Sequence, residues 1–286
     1  MNGVLIVNKD LGYTSRDVVN VVSKHIGTKK VGHTGTLDPN ATGVLVICVG
    51  KALKLCELLT EHDKEYIADG ILGLSTDTLD MMGKVIESKI VNITRDEINT
   101  AIKSFKGEYL QEVPMFSAVK INGKKMYEYA RNNIKVEVPS RMVNIKEIEL
   151  CDDIRYDDGK IFFKIKCTVS KGTYIRSLIR DIGRKLNCPA VMSSLIRTRQ
   201  GNFTIDKGYT IGDIKNNNFN LIKIEDAFPD IPRIIVDDDV AFRIKNGMIM
   251  DKFFDGNMVF IFDNDNRLLA LYRNVDNNSR VYRMFV

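Results

Sequence analysis

Gly32-His33-Thr34-Gly35-Thr36-Leu37-Asp38-Pro39-Asn40-Ala41-Thr42-Gly43 is the densest cluster of chemistry-bearing residues in the chain, with one of its three histidines and an Asp-Pro step. Its Gly, Thr and Pro content predicts a loop over residues 28–42. Three functional readings are open. A phosphate cradle is one, although the Lys-Ser/Thr of a P-loop and the spacing of a dinucleotide fingerprint are missing. A GxxG backbone clamp from Gly32 to Gly35, as in KH modules, is the second, but the flanking elements do not follow that fold's order. The third is a loop that presents one carboxylate, Asp38. Against all three stands a plain turn in which Asp38 caps its own backbone.

Working outward, Val4-Leu5-Ile6-Val7 predicts a short apolar strand before the loop. Thr14-Ser15-Arg16-Asp17 predicts a helix start with a capping box, Val18, Val19, Val22 and Ile26 form its buried face, and Gly27 ends it. After the loop, Val44 to Val49 is an apolar run between Gly43 and Gly50, suited to a buried strand or the start of a helix. A second capping box, Thr94 with Glu97, precedes Ile98, Ala101, Ile102 and Phe105 at helical spacing. Ile161, Phe163, Ile165, Cys167 and Val169 alternate with polar residues as a half-buried strand. Thr173 to Leu186 is the clearest helix: Ile175, Leu178, Ile179, Ile182 and Leu186 share one face, while Arg176, Arg180 and Arg184 line another. Read alone, that arginine row is a solvated stripe. Past Phe228-Pro229-Asp230, short β-like runs over 258–262, 268–272 and 280–286 are separated by Asp/Asn turns and predict a small β-rich module.

Composition narrows the class. With 44% hydrophobic and 28% charged residues the chain has the balance of a globular protein with a sizeable core. No apolar run approaches the roughly 20 residues of a membrane span, and Met1 to Asp10 lacks the pattern of a signal peptide. Five scattered cysteines, without CxxC or metal-like spacing, predict reduced thiols, a cytoplasmic location and no metal site. The net charge of +5 is compatible with a nucleic-acid partner. Residues 231–286 carry eight basic and eight acidic residues, so the whole excess lies in residues 1–230.

The Gly32–Gly43 loop resembles the signature of the TruB family, the bacterial tRNA pseudouridine-55 synthases, and ordered matches extend the likeness over residues 2–200. Asn2-Gly3-Val4-Leu5 with Lys9 is similar to the family's opening strand. Asp63-Lys64-Glu65-Tyr66, Thr76-Asp77-Thr78 with Asp80, and Gly83 follow in place. Met115, Ser117, Ala118 and Lys120, then Gly123-Lys124-Lys125-Met126-Tyr127-Glu128-Tyr129-Ala130-Arg131, are similar to an RNA-gripping insertion. Ser170-Lys171-Gly172-Thr173-Tyr174-Ile175-Arg176-Ser177-Leu178 and Leu195-Ile196-Arg197 complete the set. The C-terminal part, with Lys245-Asn246-Gly247, resembles a PUA module more weakly.

The resemblance implies an α+β catalytic domain over residues 1–230, on a mixed, mainly antiparallel sheet with flanking helices. A basic insertion is expected at about 114–140 and a PUA-like module at 231–286. It implies isomerisation of uridine-55 in the TΨC loop of tRNA: the base is flipped out, the C1′–N1 bond breaks and the base rejoins through C5. That reaction changes no oxidation state, so no cofactor is expected. Asp38 is implied as the catalytic carboxylate, and Arg176 as the partner that keeps it ionised. Tyr66 is implied to stack on the target base and share in removing the C5 proton. Tyr174 and Leu195 are implied to line the uracil pocket, and His33 to enter the RNA stack. Lys120, Lys124, Lys125 and Arg131 are implied to neutralise phosphates. A monomer acting on the tRNA TΨC arm, without membrane or metal, completes the expectation. The rivals are a non-catalytic RNA-binding protein, a synthase guided to another RNA by partner proteins, and a base-excising glycosylase.

Overall fold

A computed structural model describes residues 1–132 and 134–286, with all their side chains except those at 152 and 153. The elements run β1 (Gly3–Lys9), α1 (Ser15–Ile26), β2 (Val31–His33), β3 (Ala41–Val49), α2 (Cys56–Glu61), β4 (Lys64–Leu72), β5 (Leu74–Thr76), β6 (Val85–Ser88) and α3 (Arg95–Lys103). There follow β7 (Gly107–Glu112), β8 (Lys120–Ile121), β9 (Lys124–Lys125), α4 (Met126–Arg131), β10 (Ser140–Asp157), β11 (Lys160–Val169), α5 (Ile175–Lys185), β12 (Ala190–Gln200), β13 (Phe203–Thr204) and α6 (Ile211–Lys215). The chain ends with β14 (Arg233–Ile235), α7 (Asp238–Lys245), β15 (Met250–Asp251), β16 (Met258–Phe262), β17 (Leu268–Val275) and β18 (Asn278–Met284).

The large sheet has the order β1-β3-β12-β4-β11-β10-β7, with β2 added on β3 and β13 on β12. All its pairings are antiparallel except β12 with β3, so the sheet is mixed and mainly antiparallel. The apolar runs in β1 and β3 are continuous because both faces are covered. Leu5, Val7, Leu45, Ile47 and Val49 pack with α1 and α6. Val4, Ile6, Val44, Val46 and Cys48 pack on the other side with Phe260, Phe262, Leu271 and Phe285. Strands β4, β11 and β12 instead alternate. Ala68, Leu72, Ile161, Phe163, Ile165 and Met192 pack with Ile98 and Ile102 of α3 and Leu178, Ile179 and Ile182 of α5.

The predicted capping boxes are formed at Thr14/Asp17 and Thr94/Glu97, and Gly27 ends α1 in the left-handed conformation. Val44 to Val49 is strand, and the expected 28–42 loop is interrupted by β2, which adds to the edge of β3. Five strands in the order β14-β16-β17-β18-β15, with α7, make a C-terminal β-rich half-barrel suited to a PUA-like module. Helix α7 was not expected from the sequence: Asp237 caps it and Asp238 and Asp239 fill its first turn, a favourable match to the helix dipole. Lys54 Nζ donates to Met284 O at 2.6 Å and Arg283 Nε to Lys54 O at 2.9 Å, joining β18 to the helical turn that follows β3. Cys48, Cys167 and Cys188 are buried, and Cys56 and Cys151 are partly exposed. Among the described residues no helix is long and apolar enough to cross a membrane.

Candidate active site

The loop between β2 and β3 is pinned to its scaffold at nearly every residue. Ser15 Oγ accepts from Leu37 N at 2.9 Å and donates to Leu37 O at 3.1 Å. Lys9, fully buried, donates to Tyr13 O at 2.6 Å, Asp10 O at 3.1 Å and Pro39 O at 3.4 Å. Arg197, also buried, donates to Val44 O at 2.6 Å and Gly35 O at 3.2 Å. Gln200 holds Thr34 Oγ1 at 2.6 Å. The parallel register of β12 on β3, with Arg197 opposite Gly43, brings the chains so close that a Cβ at Gly43 would sit 2.2 Å from Arg197 O. Only glycine fits there, and its φ of +97° is the kind that glycine adopts without strain.

This scaffold presents the Asp38 carboxylate to α5, where Arg176 Nη2 lies 3.0 Å from Asp38 Oδ2. Arg176 is 6% exposed, so it is no member of a solvated stripe; Arg184, two turns on, is. A buried guanidinium needs all its donors met. Nη1 donates to Thr78 O at 2.9 Å and Nη2 to Phe116 O at 3.0 Å, while Asp80 Oδ2 stands 3.6 Å from Nη1. Asp80 is itself buried and accepts from Thr78 Oγ1 at 2.6 Å and Met82 N at 3.0 Å. One guanidinium thus faces two carboxylates, one buried and one, Asp38, partly open to solvent.

Asp38 and Arg176 line a cavity of about 310 Å³ together with Tyr66, Tyr174 and Leu195, the volume class of a small-ligand site. Tyr66 reaches it from β4 and Leu195 from β12, where the two strands pair with Leu195 opposite Ala68. Phe116 and Tyr127, which the sequence reading did not single out, also line it. Tyr127 comes from α4, in the expected insertion at 114–140, of which residue 133 lies outside the described residues. Arg141 lies over the Tyr174 ring at 5.5 Å.

The remaining sequence candidates are not part of the cavity's lining. His33 ends β2. Burial, with Arg16 and Arg197 nearby, pulls its imidazole below the usual value, and its buried Nδ1 has no hydrogen-bond partner among the described residues. Lys120, Lys124 and Arg131 are exposed on β8, β9 and α4. Lys125 and Arg131 approach the Tyr127 ring at 5.4 and 5.3 Å, so two of the four cations are gathered around one aromatic of the cavity. Lys9, Asp80 and Arg197 were quoted in the motif matches without a role. Their burial is what a sequence cannot display.

Comparison with known proteins adds to this geometry. The model of the TruB family pseudouridylate synthase N-terminal domain matches residues 23–175, and that of the tRNA pseudouridylate synthase B C-terminal domain matches residues 176–227. The chain belongs to the TruB family. It is a pseudouridine synthase, an isomerase. The chain is 42% identical to a protein named tRNA pseudouridine synthase B from Bacillus pumilus (strain SAFR-032), over 95% of this chain and 93% of that one. It is equally similar, over the same shares, to the protein of that name from Bacillus subtilis (strain 168). Among solved structures, a chain of a Cbf5-Nop10-Gar1 complex superposes with a TM-score of 0.71 at 26% identity, over 99% of this chain and 85% of that one. The mixed sheet with flanking helices is thus the pseudouridine synthase fold.

Proposed function

We propose that this TruB-family enzyme isomerises uridine-55 in the TΨC loop of tRNA, with Asp38 as the catalytic carboxylate. The observation that carries the reading is the Asp38–Arg176 pair at 3.0 Å on the wall of a cavity walled also by Tyr66, Tyr174 and Leu195. The relatives at 42% identity are named for tRNA. The likeness to a chain of a Cbf5-Nop10-Gar1 complex is weaker, at 26%, so the relatives named for tRNA are the better guide to the substrate. A uridine bound there would have its base between aromatic and apolar walls and its ribose C1′ facing a carboxylate paired with a guanidinium. That carboxylate acts as nucleophile or as base while the C1′–N1 bond breaks and the C5 bond forms. The Tyr66 hydroxyl is the group suited to share in removing the C5 proton. His33, neutral and at the mouth of the same loop, is suited to fill the gap that the flipped base leaves. Lys120, Lys124, Lys125 and Arg131 are the proposed phosphate contacts. Residues 1–230 serve as the catalytic domain and 231–286 as a PUA-like domain, in a cytoplasmic monomer.

Asp38→Asn tests the assignment. The change keeps size and removes charge, so release of label from C5 of uridine in tRNA should be lost while RNA binding persists. Near-normal release by this variant would refute the role of Asp38.

A further inference from the structure

Helix α5 carries both Tyr174 and Arg176, yet it begins without a cap of its own. Helices α1, α3 and α6 start with a threonine that accepts from the N3 amide and an N3 carboxylate that takes the N-cap N–H. In α5 the N-cap is Tyr174, which makes no side-chain cap bond. The N3 residue, Ser177, donates outward to Glu112 O at 2.8 Å. The positions that would normally cap the helix are committed: the Tyr174 ring lines the cavity and Arg176, at N2, meets Asp38.

The missing part comes from another strand. Gln111 of β7 accepts the Tyr174 N–H on Oε1 at 2.8 Å and donates from Nε2 to Tyr174 O at 3.1 Å. Its other Nε2 hydrogen goes to the Tyr109 hydroxyl. The orientation of the amide is dictated by its partners, because a backbone N–H only donates and a carbonyl only accepts. Gln111 is 0% exposed, an unusual place for a glutamine, and each of its polar atoms is used. Tyr174 O also takes the first helical bond, from Leu178 N at 3.0 Å, so the amide holds the residue at which the backbone turns into the helix. In effect Gln111 supplies from β7 the contact that an N3 glutamate supplies within a capping box.

We propose that Gln111 is a positioning residue for the isomerisation: by clamping the Tyr174 main chain it sets the Tyr174 wall of the cavity and the register from which Arg176 reaches Asp38 and Asp80. The inference rests on the reading of Asp38, Tyr174 and Arg176 as the site. An apolar side chain of similar size would leave the buried Tyr174 N–H unpaired and free the helix start to shift. A displacement of about 1 Å at a catalytic group costs on the order of 100-fold in rate.

The test compares Gln111→Met, Gln111→Glu and, as a control, Ile161→Val in the core of β11, all in the full chain with a tRNA transcript. Single-turnover pseudouridine formation is followed across pH, with RNA affinity and melting temperature measured on the same proteins. Gln111→Met should lose about 100-fold in rate with affinity unchanged, whereas Ile161→Val should melt earlier and keep the wild-type rate. Gln111→Glu carries the sharper signature. When protonated, its carboxyl reproduces the amide's donor and acceptor; when ionised, it repels Tyr174 O. Its rate relative to wild type should therefore recover as pH falls, and this ratio decides the matter even if Gln111→Met does not fold. A wild-type rate in Gln111→Met, or a ratio for Gln111→Glu that does not change with pH, would overturn the proposal. Activity in Asp38→Asn would instead overturn the site reading on which it stands.

Discussion

Arg176 is where the chemistry of single residues is most demanding, because four oxygens from three parts of the chain converge on one guanidinium. A planar fork meets Asp38, Asp80 and two carbonyls at once; an ammonium is a point charge and cannot. Arg176→Lys should therefore keep RNA binding and lose on the order of 100-fold in single-turnover rate, the scale of a misplaced catalytic group. Rapid-quench measurement of pseudouridine formation checks this, and a rate within a factor of a few of wild type would show that charge alone suffices. Helical periodicity placed Arg176 with Arg180 and Arg184 in one row, and nothing in that row distinguishes the three. Their surroundings do: Arg176 is buried, Arg180 pairs with Glu112 and Asp181, and Arg184 is mostly exposed. The pairing with Asp38 was legible through the family resemblance. The pairing with Asp80 was not, because a short polar motif says nothing of which way its carboxylate turns.

At the scale of elements, the loop between β2 and β3 is held by β1, α1 and β12 and not by its own sequence. Strand β1 contributes Lys9, whose ammonium ties the Asp10 and Tyr13 carbonyls of the β1–α1 turn to the Pro39 carbonyl of the loop. Burial brings the Lys9 pKa down to about 8, although Asp38 nearby pulls it up. The sign follows directly: below that value all three donors are present, and above it one is lost and Pro39 is held less firmly. The rate should fall as pH rises through about 8, and Lys9→Met should be slow at every pH without that limb. A pH–rate profile of both proteins checks this. A limb that persists in Lys9→Met would belong to Lys64, whose pKa is also lowered to about 8 but which holds Thr60 and His62 carbonyls instead. The elements themselves were well legible. Capping boxes at Thr14 and Thr94 and alternation in β11 depend on near neighbours, so local sequence contains them. Strand β2 and the cap on α5 were not legible: β2 exists because the edge of β3 accepts it, and the cap is supplied by Gln111 from a distant strand.

For the whole molecule, charge and packing divide the chain differently. Phe260, Phe262, Leu271 and Phe285 of the C-terminal sheet share one buried cluster with Val4, Ile6, Val44 and Val46 of the large sheet. Removal of residues after 230 would open that cluster, since even a single buried Phe→Ala change costs about 3–5 kcal/mol. The salt dependence of RNA binding is therefore best read on the intact chain. In residues 231–286, Arg243 of α7 pairs with Asp239 at 2.9 Å and Arg267 pairs with Asp265, so these two cations are met by acids of the same segment. Lys120 and Lys124 form no ion pair among the described residues and are exposed on β8 and β9. Lys120→Gln and Lys124→Gln should each lower the log–log salt slope by about 0.9, whereas Arg243→Gln should leave it unchanged. A drop of that size in Arg243→Gln would reveal a phosphate contact there. Position-resolved mapping of pseudouridine in an unmodified tRNA transcript, incubated with the wild-type chain, tests whether the reaction occurs at one uridine. Pseudouridine is expected at position 55 of the T loop alone; a transcript that is bound but unchanged, or one modified elsewhere, would overturn the proposed reaction.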